Sequence, residues 1–381
     1  MSPSLSQLVL YCRAGFEAEC AQEIQQRANE AECFGFARTE RGQGFVTFEC
    51  YEPGAAQKLA SAVDFHELIF ARQWLVCTER FTDLPTDDRV TPLVEKAQAL
   101  ADALDLTNGF RYLEVEAPDT EESHSLLSFC RKFTAPLSNG LKKAELLKGD
   151  KKAPQLHVFL LNSSAGYIGY SPAGNSARDA MGIPRLKFPK QAPSRSTLKL
   201  EEAWRHFLSP AKRKAYLQPG MKAVDLGAAP GGWTWQLVNQ DIRVAAIDNG
   251  PMDEALMDSG LVEHIQEDGF KYWPQKKVDW LVCDMVEKPI RVADLMAHWL
   301  LKRRCEFAIF NLKLPMKKRY EEVQRCFDRM REILDDAQEG DEAAQYQLRA
   351  KQLYHDREEI TVFIHRPTPE RLAQWRKGQS A

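Results

Sequence analysis

The chain has 381 residues, of which 44% are hydrophobic and 10% aromatic, a composition typical of globular rather than disordered or fibrous proteins. Its 51 Lys and Arg against 54 Asp and Glu give a formal net charge of −3, and no apolar run approaches the roughly 20 residues that span a bilayer. Length and composition therefore exclude a membrane-spanning chain and indicate two or three domains, at about 150 residues each.

Two α+β domains are predicted in the first half of the chain. Residues 1–75 hold strand patterns at Leu8–Cys12, Gly44–Glu49 and Leu68–Val76 and helical spacing at Glu17–Ala28 and Ala55–Ala62. Residues 80–175 hold helices near 91–104 and 122–144 and strands at Phe110–Glu116, Leu156–Leu161 and Gly166–Tyr170. The proline-containing stretch 176–193 predicts a linker.

From residue 194 to 381 the pattern changes to alternating strands and helices. The apolar strand runs are Ala223–Leu226, Val244–Ile247, Val278–Cys283, Phe307–Phe310 and Ile360–Ile364. Continuous apolar strands separated by helices predict a mostly parallel, doubly wound α/β sheet covered on both faces. Ligands bind such sheets beyond the carboxyl ends of the strands, so the residues that follow each strand are the candidate site.

A glycine-rich loop follows the first of these strands, at Asp225-Leu-Gly-Ala-Ala-Pro-Gly-Gly-Trp233. It lacks the G-x-G-x-x-G fingerprint of dinucleotide sites but allows close approach of the backbone to a ligand. Asp248 ends the next strand, where an acid normally binds the two ribose hydroxyls of a nucleoside. A loop without a pyrophosphate cradle that still allows close backbone approach suits a ligand ending in an amino acid. A nucleoside joined to an amino acid indicates S-adenosylmethionine.

The loop Asp225–Trp233 resembles the first motif of S-adenosylmethionine-dependent methyltransferases, and Ser194–Leu200 resembles the element that opens the FtsJ-like ribose 2′-O-methyltransferases. The resemblance implies a Rossmann-like fold for this domain. This resemblance implies a Lys–Asp–Lys–Glu tetrad, with members matched in order and at strand ends. The catalytic candidates are Lys199, Asp284, Lys313 and Glu359. Glu358 is the alternative to Glu359 for the last position.

Methyl transfer to a ribose hydroxyl is an in-line displacement in which the 2′-oxygen loses its proton. We expect Lys313 to be the base, because a second lysine, Lys199, disfavours the charged form and lowers its pKa. Glu359 would orient Lys313, and Asp284 would lie near the positive sulfonium. This chemistry requires no metal.

The same resemblance implies the residues that hold the cofactor. These candidates are Ser196, Ala229, Pro230, Gly231, Gly232, Asp248, Asp268 and Asp284. Asp268 is expected to bind the adenine amino group, with Glu267 as the alternative, and Ser196 either reaches the methionine end or only starts a helix. Ala229 departs from the resemblance, since the family carries Cys in that loop.

Other methylation chemistries are disfavoured. Methylation of a base amino group uses Asn/Asp-Pro-Pro-Tyr/Phe after the fourth strand, whereas this chain has Asp284-Met-Val-Glu. Methylation at a pyrimidine carbon requires a nucleophilic Cys, and Cys283 lies inside an apolar strand. The nine cysteines are scattered and contain no C-x-x-C pair, which predicts reduced, buried thiols in a cytoplasmic protein. The start of the chain also lacks the pattern of a signal peptide.

Two basic stretches predict a nucleic-acid partner. Residues 185–214 carry a local net charge of +7 and residues 131–152 one of +5. Lys317, Lys318 and Arg319 extend the basic surface beside Lys313. Three aromatic residues, Trp204, Phe207 and Tyr216, either stack on a base or pack in the core, and core packing is the favoured interpretation.

The first domain is ferredoxin-like, and residues 80–175 resemble a THUMP RNA-binding domain. Together with the motifs at 225–233, 248–252, 282–289, 310–320 and 353–359, the whole chain resembles the bacterial 23S ribosomal RNA cytidine 2′-O-methyltransferase M family. The resemblance implies a monomer acting on naked or immature ribosomal RNA. Two alternatives stay open, an RNA-binding assembly factor without catalysis and a ribose methyltransferase for another RNA such as transfer RNA.

Overall fold

The computed structural model describes residues 5–335 and 346–367 and divides the chain after Pro184 into an amino-terminal unit and a carboxy-terminal unit. The division falls inside the predicted linker, 176–193. The last residues of the predicted catalytic domain, 368–381, lie outside the described range. Among the helices described, none has both the length and the apolar character needed to cross a bilayer.

The described strands of the amino-terminal unit form a seven-stranded sheet in the order β2-β3-β1-β4-β7-β6-β5. The strands are β1 (Gln7–Tyr11), β2 (Gly35–Arg38), β3 (Phe45–Cys50), β4 (Gln73–Cys77), β5 (Leu113–Glu116), β6 (Gln155–Leu160) and β7 (Gly166–Ser171). The α-helices are α1 (Glu17–Glu30), α2 (Ala55–Ala62), α3 (Val90–Ala103) and α4 (His124–Lys143). Short 3-10 helices lie at Phe65–Glu67 and Ala180–Gly182. Pairing of β4 with β7 joins the two predicted domains in one sheet.

The predicted strand Leu68–Val76 begins only at Gln73. Leu68, Ile69, Phe70 and Ala71 are apolar and buried, but the amides of Ile69 and Phe70 bind a side chain and not a neighbouring strand. The Glu23 carboxylate on α1 accepts from the amides of Ile69 at 2.6 Å and Phe70 at 2.9 Å. A buried acid therefore takes the hydrogen bonds that a sheet ladder would otherwise supply.

The first part of the predicted linker packs into the amino-terminal unit. Just before it, Asn175 accepts a hydrogen bond from the amide of Phe65 and donates to the carbonyls of Ala60 and Val63. Within the linker, the Ala177 amide donates to Gln73 Oε1 at 3.2 Å. Further on, the amide of Met181 donates to the buried Glu116 carboxylate at 2.6 Å. These contacts fix the chain up to the end of the unit.

In the carboxy-terminal unit a seven-stranded sheet of the described residues has the order β10-β9-β8-β11-β12-β14-β13. Its strands are β8 (Lys222–Leu226), β9 (Arg243–Ile247), β10 (Val262–Ile265), β11 (Trp280–Cys283), β12 (Phe307–Lys313), β13 (Gln347–Lys351) and β14 (Glu359–His365). Its helices are α5 (Thr197–Phe207), α6 (Pro210–Tyr216), α7 (Gly232–Val238), α8 (Glu254–Met257), α9 (Pro289–Leu301) and α10 (Arg319–Asp335).

Strands β8 to β12 pair in parallel, and β14 runs antiparallel between β12 and β13. The central strands β11, β12 and β14 are buried almost throughout, as expected for a sheet covered on both faces. The predicted doubly wound α/β fold is confirmed. Because β14 is antiparallel, its amino end lies at the same edge of the sheet as the carboxyl ends of β8, β11 and β12.

Candidate active site

Four charged side chains meet at this edge of the carboxy-terminal sheet. Lys313 Nζ lies 2.5 Å from Asp284 Oδ1 and 2.9 Å from Glu359 Oε2. Lys199 Nζ lies 3.2 Å from Asp284 Oδ2 and also pairs with Glu359 Oε1. The four side chains are between 9% and 21% exposed, so the cluster is partly open to solvent. We call these residues the tetrad.

Backbone geometry explains why the tetrad forms. Lys313 is the last residue of β12 and Glu359 the first of β14, and the antiparallel register places them directly opposite each other. Asp284 follows β11, the strand on the other side of β12. Lys199 comes from α5, which packs against the sheet. The structure thus brings together the four predicted residues and selects Glu359 over Glu358, whose carboxylate pairs with Arg319.

The charges of the tetrad balance and stabilise the ionised forms. Burial raises the pKa of Asp284 and of Glu359, but the two lysines lower both pKa values by more than burial raises them. The pKa of each acid is therefore below its ordinary value. Burial lowers the pKa of Lys313, but the Asp284 and Glu359 carboxylates more than offset this effect, so its pKa is above the ordinary value. The expectation that Lys199 lowers the pKa of Lys313 is wrong for this structure, because two adjacent carboxylates outweigh one like charge.

A layer of polar residues lies beneath the tetrad, and the sequence reasoning missed it. Asn311 Nδ2 donates to Asp284 Oδ1 at 2.9 Å, and Thr361 Oγ1 lies 2.8 Å from Asn311 Oδ1. Thr361 also contacts the fully buried carboxyl of Asp356. Strand periodicity was an available signal, since Asn311 and Thr361 stand two residues from Lys313 and Glu359 and so share a sheet face with them.

The glycine-rich loop connects β8 to α7 and is closely packed. A Cβ added to Gly231, whose φ is +116°, would lie 2.4 Å from Leu256 Cδ2, and one added to Gly232 would lie 2.2 Å from Ser196 Oγ. Ala229 and Pro230 lie in the same loop, and the Ala229 amide donates to Asp248 Oδ2 at 3.0 Å. The positive φ favours glycine at 231, and at 232 a larger residue would displace the Ser196 side chain.

The predicted acids Asp248 and Asp268 follow strands β9 and β10. Asp248 follows β9 and accepts hydrogen bonds from the amides of Ala229 and Gly250, at 3.0 and 2.7 Å. A carboxylate has about four acceptor positions, so Asp248 keeps capacity for hydroxyl groups. Asp268 follows β10 and is exposed, with one oxygen accepting from the Phe270 amide. Its alternative, Glu267, is exposed too, so the geometry does not separate them.

Ser196 stands at the start of α5 beside the loop. Its Oγ lies 2.9 Å from Ser194 Oγ, and its carbonyl accepts from Trp233 Nε1 at 3.1 Å. It makes no side-chain capping bond to its helix. Together with Asp248, Asp268 and Asp284, Ser196 gives this edge of the sheet acceptor groups that fit a nucleoside carrying a positive charge.

Cys283 and three aromatic residues are core residues. Cys283 is fully buried in β11, and burial raises its pKa to about 12, so it is an inert thiol. All nine cysteines are free and buried. Trp204, Phe207 and Tyr216 belong to the hydrophobic core of the carboxy-terminal unit. Core packing, the favoured interpretation, is thereby confirmed over base stacking. In the described ranges no cluster of His, Cys, Asp or Glu could hold a metal.

The basic stretches are largely exposed within each unit. All seven Lys and Arg of residues 131–152 are exposed, four of them on α4. In residues 185–214 the exceptions are Lys199, in the tetrad, and Arg213, which pairs with Glu201 at 2.7 Å. Beside Lys313, Lys317 and Lys318 are exposed. Arg319 is not, because it pairs with Glu358 and donates to the Pro315 carbonyl, so it anchors this loop.

Comparison with known families divides the chain into three matched regions. Residues 5–75 match the RlmM ferredoxin-like domain, and residues 88–172 match the family described as ribosomal RNA large subunit methyltransferase M, N-terminal. Residues 192–327 match the FtsJ-like methyltransferase family. The last match includes Lys199, Asp284 and Lys313.

The chain is also similar over nearly its whole length to curated proteins called ribosomal RNA large subunit methyltransferase M. The protein of Pasteurella multocida is 51% identical over 365 residues, covering 94% of this chain and 98% of the relative. That of Serratia proteamaculans is 52% identical, covering 95% and 96%. Among solved structures, TrmN from Thermus thermophilus has a TM-score of 0.36 at 14% identity, covering 95% of this chain and 99% of TrmN.

Proposed function

This chain belongs to the ribosomal RNA large subunit methyltransferase M family, and we propose that it methylates the ribose 2′-hydroxyl of a cytidine in 23S ribosomal RNA with S-adenosylmethionine as the methyl donor. The family makes the chain an rRNA methyltransferase. The 2′-hydroxyl as the methylated position, the cytidine and the choice of 23S RNA are the proposal. We further propose that the chain acts as a monomer in the cytoplasm, on naked or precursor RNA.

The tetrad is the observation that supports ribose methylation. A 2′-hydroxyl is a weak acid, so attack on a methyl group requires a group that accepts its proton and groups that hold the oxygen in line. Lys313 is the proposed base because its Nζ is held by two carboxylates at the end of a rigid strand. Lys199 balances the second charge on those acids, and Glu359 and Asp284 orient both lysines.

S-adenosylmethionine, when bound, supplies a methyl group activated by an adjacent positive sulfur. Asp248 would hold its ribose hydroxyls, Asp268 its adenine, and Ser196 with the loop 229–232 its methionine end. Asp284 would face the positive charge. These assignments rest on acceptor groups that follow β9, β10 and β11 and on a glycine-rich loop that packs closely against Ser196.

The raised pKa of Lys313 sets a requirement on this mechanism. Lys313 must lose its proton before it can act as a base, and in this structure Asp284 and Glu359 keep it charged. A positive charge beside Asp284 acts against that effect, since it competes for the carboxylate and repels the ammonium. We therefore expect Lys313 to become a base only in the complex with both substrates.

The exposed lysines and arginines support RNA as the substrate. Phosphate contacts from such side chains provide affinity that does not depend on sequence. The amino-terminal unit presents seven of them over 131–152, and Lys317 and Lys318 lie on the loop that follows Lys313. An RNA bound near this loop would place a ribose within reach of the tetrad.

The test is methyl transfer from labelled S-adenosylmethionine to three RNAs purified from cells that lack this enzyme. We expect label on protein-free 23S RNA and little on assembled large subunits or transfer RNA. Preference for transfer RNA would move the substrate to another RNA class. An absence of label on every RNA, with RNA binding intact, would instead favour a non-catalytic assembly factor.

A further inference from the structure

Asp356, in the loop between β13 and β14, forms the base of a chain of hydrogen bonds that ends at the tetrad. Its carboxyl oxygens lie 3.1 and 3.0 Å from Thr361 Oγ1, and Oδ2 accepts from the Leu353 amide at 2.9 Å. Thr361 Oγ1 is 2.8 Å from Asn311 Oδ1, and Asn311 Nδ2 is 2.9 Å from Asp284 Oδ1. Asp356, Thr361 and Asn311 are all buried.

The orientation of the Asn311 amide fixes the direction of these bonds. Asp284 Oδ1 also accepts from Lys313 Nζ, so it is a carboxylate oxygen that can only accept. Asn311 must therefore direct its NH₂ group at Asp284 and its carbonyl oxygen at Thr361. Because that carbonyl accepts only, the hydroxyl proton of Thr361 is used in the bond to Asn311.

Counting protons then decides the state of Asp356. A threonine hydroxyl has one proton, and here it lies between Thr361 and Asn311. The contact between Thr361 and Asp356 requires a second proton, and only the Asp356 carboxyl can supply it. An ionised Asp356 would instead place two acceptors at hydrogen-bond distance with no proton between them, which is costly in a buried site.

The charges around Asp356 agree with this count. Burial raises its pKa well above the ordinary value, Glu359 and Glu202 raise it further, and Lys199 and the Leu353 amide act in the opposite direction. Two of these neighbours, Glu359 and Lys199, belong to the tetrad. A third negative charge beneath the tetrad would add to the two carboxylates that keep Lys313 charged.

We propose that Asp356 is a protonated carboxylic acid, and that Asp356, Thr361 and Asn311 form a one-directional relay that positions Asp284 against the two lysines. Each member donates to the next, so Asp284 receives a hydrogen bond whose direction is set from the buried end. The three residues are positioning residues, since none contacts a reacting atom. Their role in methyl transfer rests on the proposed function, whereas the proton on Asp356 does not.

The proton is tested by infrared difference spectroscopy between the wild-type chain and Asp356→Asn at about pH 7. We expect the difference to contain the C=O band of a protonated carboxyl. A carboxylate band in its place would overturn the proposal. This measurement does not depend on methyl transfer, so it can be interpreted even if the enzyme has another substrate.

The relay is tested by the kinetics of matched variants. Thr361→Val keeps the side-chain shape but removes both bonds, and we expect kcat to fall about tenfold, since a lost hydrogen bond to a buried partner is of that size. KM for S-adenosylmethionine and for RNA should change by less than about threefold. Thr361→Ser, which keeps the hydroxyl, should restore kcat to within about twofold.

The variant Asp356→Asn tests whether Asp356 acts as a neutral hydrogen-bond donor or as a negative charge. The amide can still accept from Leu353 and donate to Thr361, so we expect kcat and its pH profile to stay close to wild type. A large loss of kcat in Asp356→Asn, with normal activity in Thr361→Val, would show that Asp356 acts as an anion and would overturn the relay. If the wild-type chain showed no methyl transfer at all, that result would instead count against the proposed function.

Discussion

Replacing Lys313 by Met should abolish methyl transfer without unfolding the site. Met keeps the length of the side chain but removes the ammonium that lies 2.5 Å from Asp284 and 2.9 Å from Glu359. The tetrad then holds two carboxylates and one lysine, and no group remains to accept the 2′-proton. General base catalysis contributes about 10²- to 10⁴-fold. We therefore expect kcat to fall about 10³-fold, or about 4 kcal/mol in activation free energy.

Single-turnover rates with saturating RNA and S-adenosylmethionine measure this loss directly. Lys222→Met is the matched control, because Lys222 is exposed at the amino end of β8, away from the tetrad edge of the sheet. Calorimetric titration with S-adenosylmethionine should give a Kd within about fivefold of wild type, since Lys313 is assigned to proton transfer and not to cofactor binding.

Lys313→Arg provides the outcome that could refute the base. Arginine keeps the positive charge and can pair with both carboxylates, but it stays protonated at every pH of the assay. If Lys313 accepts the proton, Lys313→Arg should be as inactive as Lys313→Met. Activity above about a tenth of wild type would show that the positive charge matters and that another group takes the proton.

Three further predictions concern other residues of the carboxy-terminal unit. Burial raises the pKa of Asp225 to about 7, so this acid contributes stability below its unfolded pKa that is lost as the pH rises towards 7. Urea unfolding should therefore show a steeper loss of stability with pH in wild type than in Asp225→Asn, by up to about 4 kcal/mol for about three pKa units; identical slopes would contradict it. Cys283→Ala should keep methyl transfer within about twofold, because a buried thiol is no nucleophile, and a dead variant would indicate covalent catalysis. Gly232→Ala should weaken S-adenosylmethionine binding about tenfold or more, because its Cβ would lie 2.2 Å from Ser196 Oγ; an unchanged Kd in calorimetry would remove this loop from the site.

Strand ends could be predicted from the sequence because apolar runs mark central strands clearly. Lys313 and Glu359 were identified as neighbours of such runs, and the antiparallel register of β12 and β14 sets them opposite each other. Short edge strands give a weaker signal. The sequence reasoning missed β2 and β13, because a strand with one open edge and few apolar residues has little periodicity to detect.

Protonation states and buried polar contacts could not be predicted, since they depend on distances in three dimensions. The pKa of Lys313 was expected to fall because of Lys199, but the carboxylates of Asp284 and Glu359, at 2.5 and 2.9 Å, raise it. Asp356 gave no signal as an isolated acid in a loop. Its burial follows from contacts with Thr361 and Leu353 that only the folded chain provides.

Mapping the methyl group after a single reaction tests the central claim most directly. Protein-free 23S RNA that lacks the modification is incubated with the purified chain and S-adenosylmethionine. One portion of the RNA is digested to nucleosides to identify the methylated one, and another is used to map the alkali-resistant linkage. Ribose methylation predicts a single new 2′-O-methylcytidine, absent with Lys313→Met and present with Lys222→Met. A methyl group on a base, or on the ribose of another nucleoside, would contradict the proposed reaction.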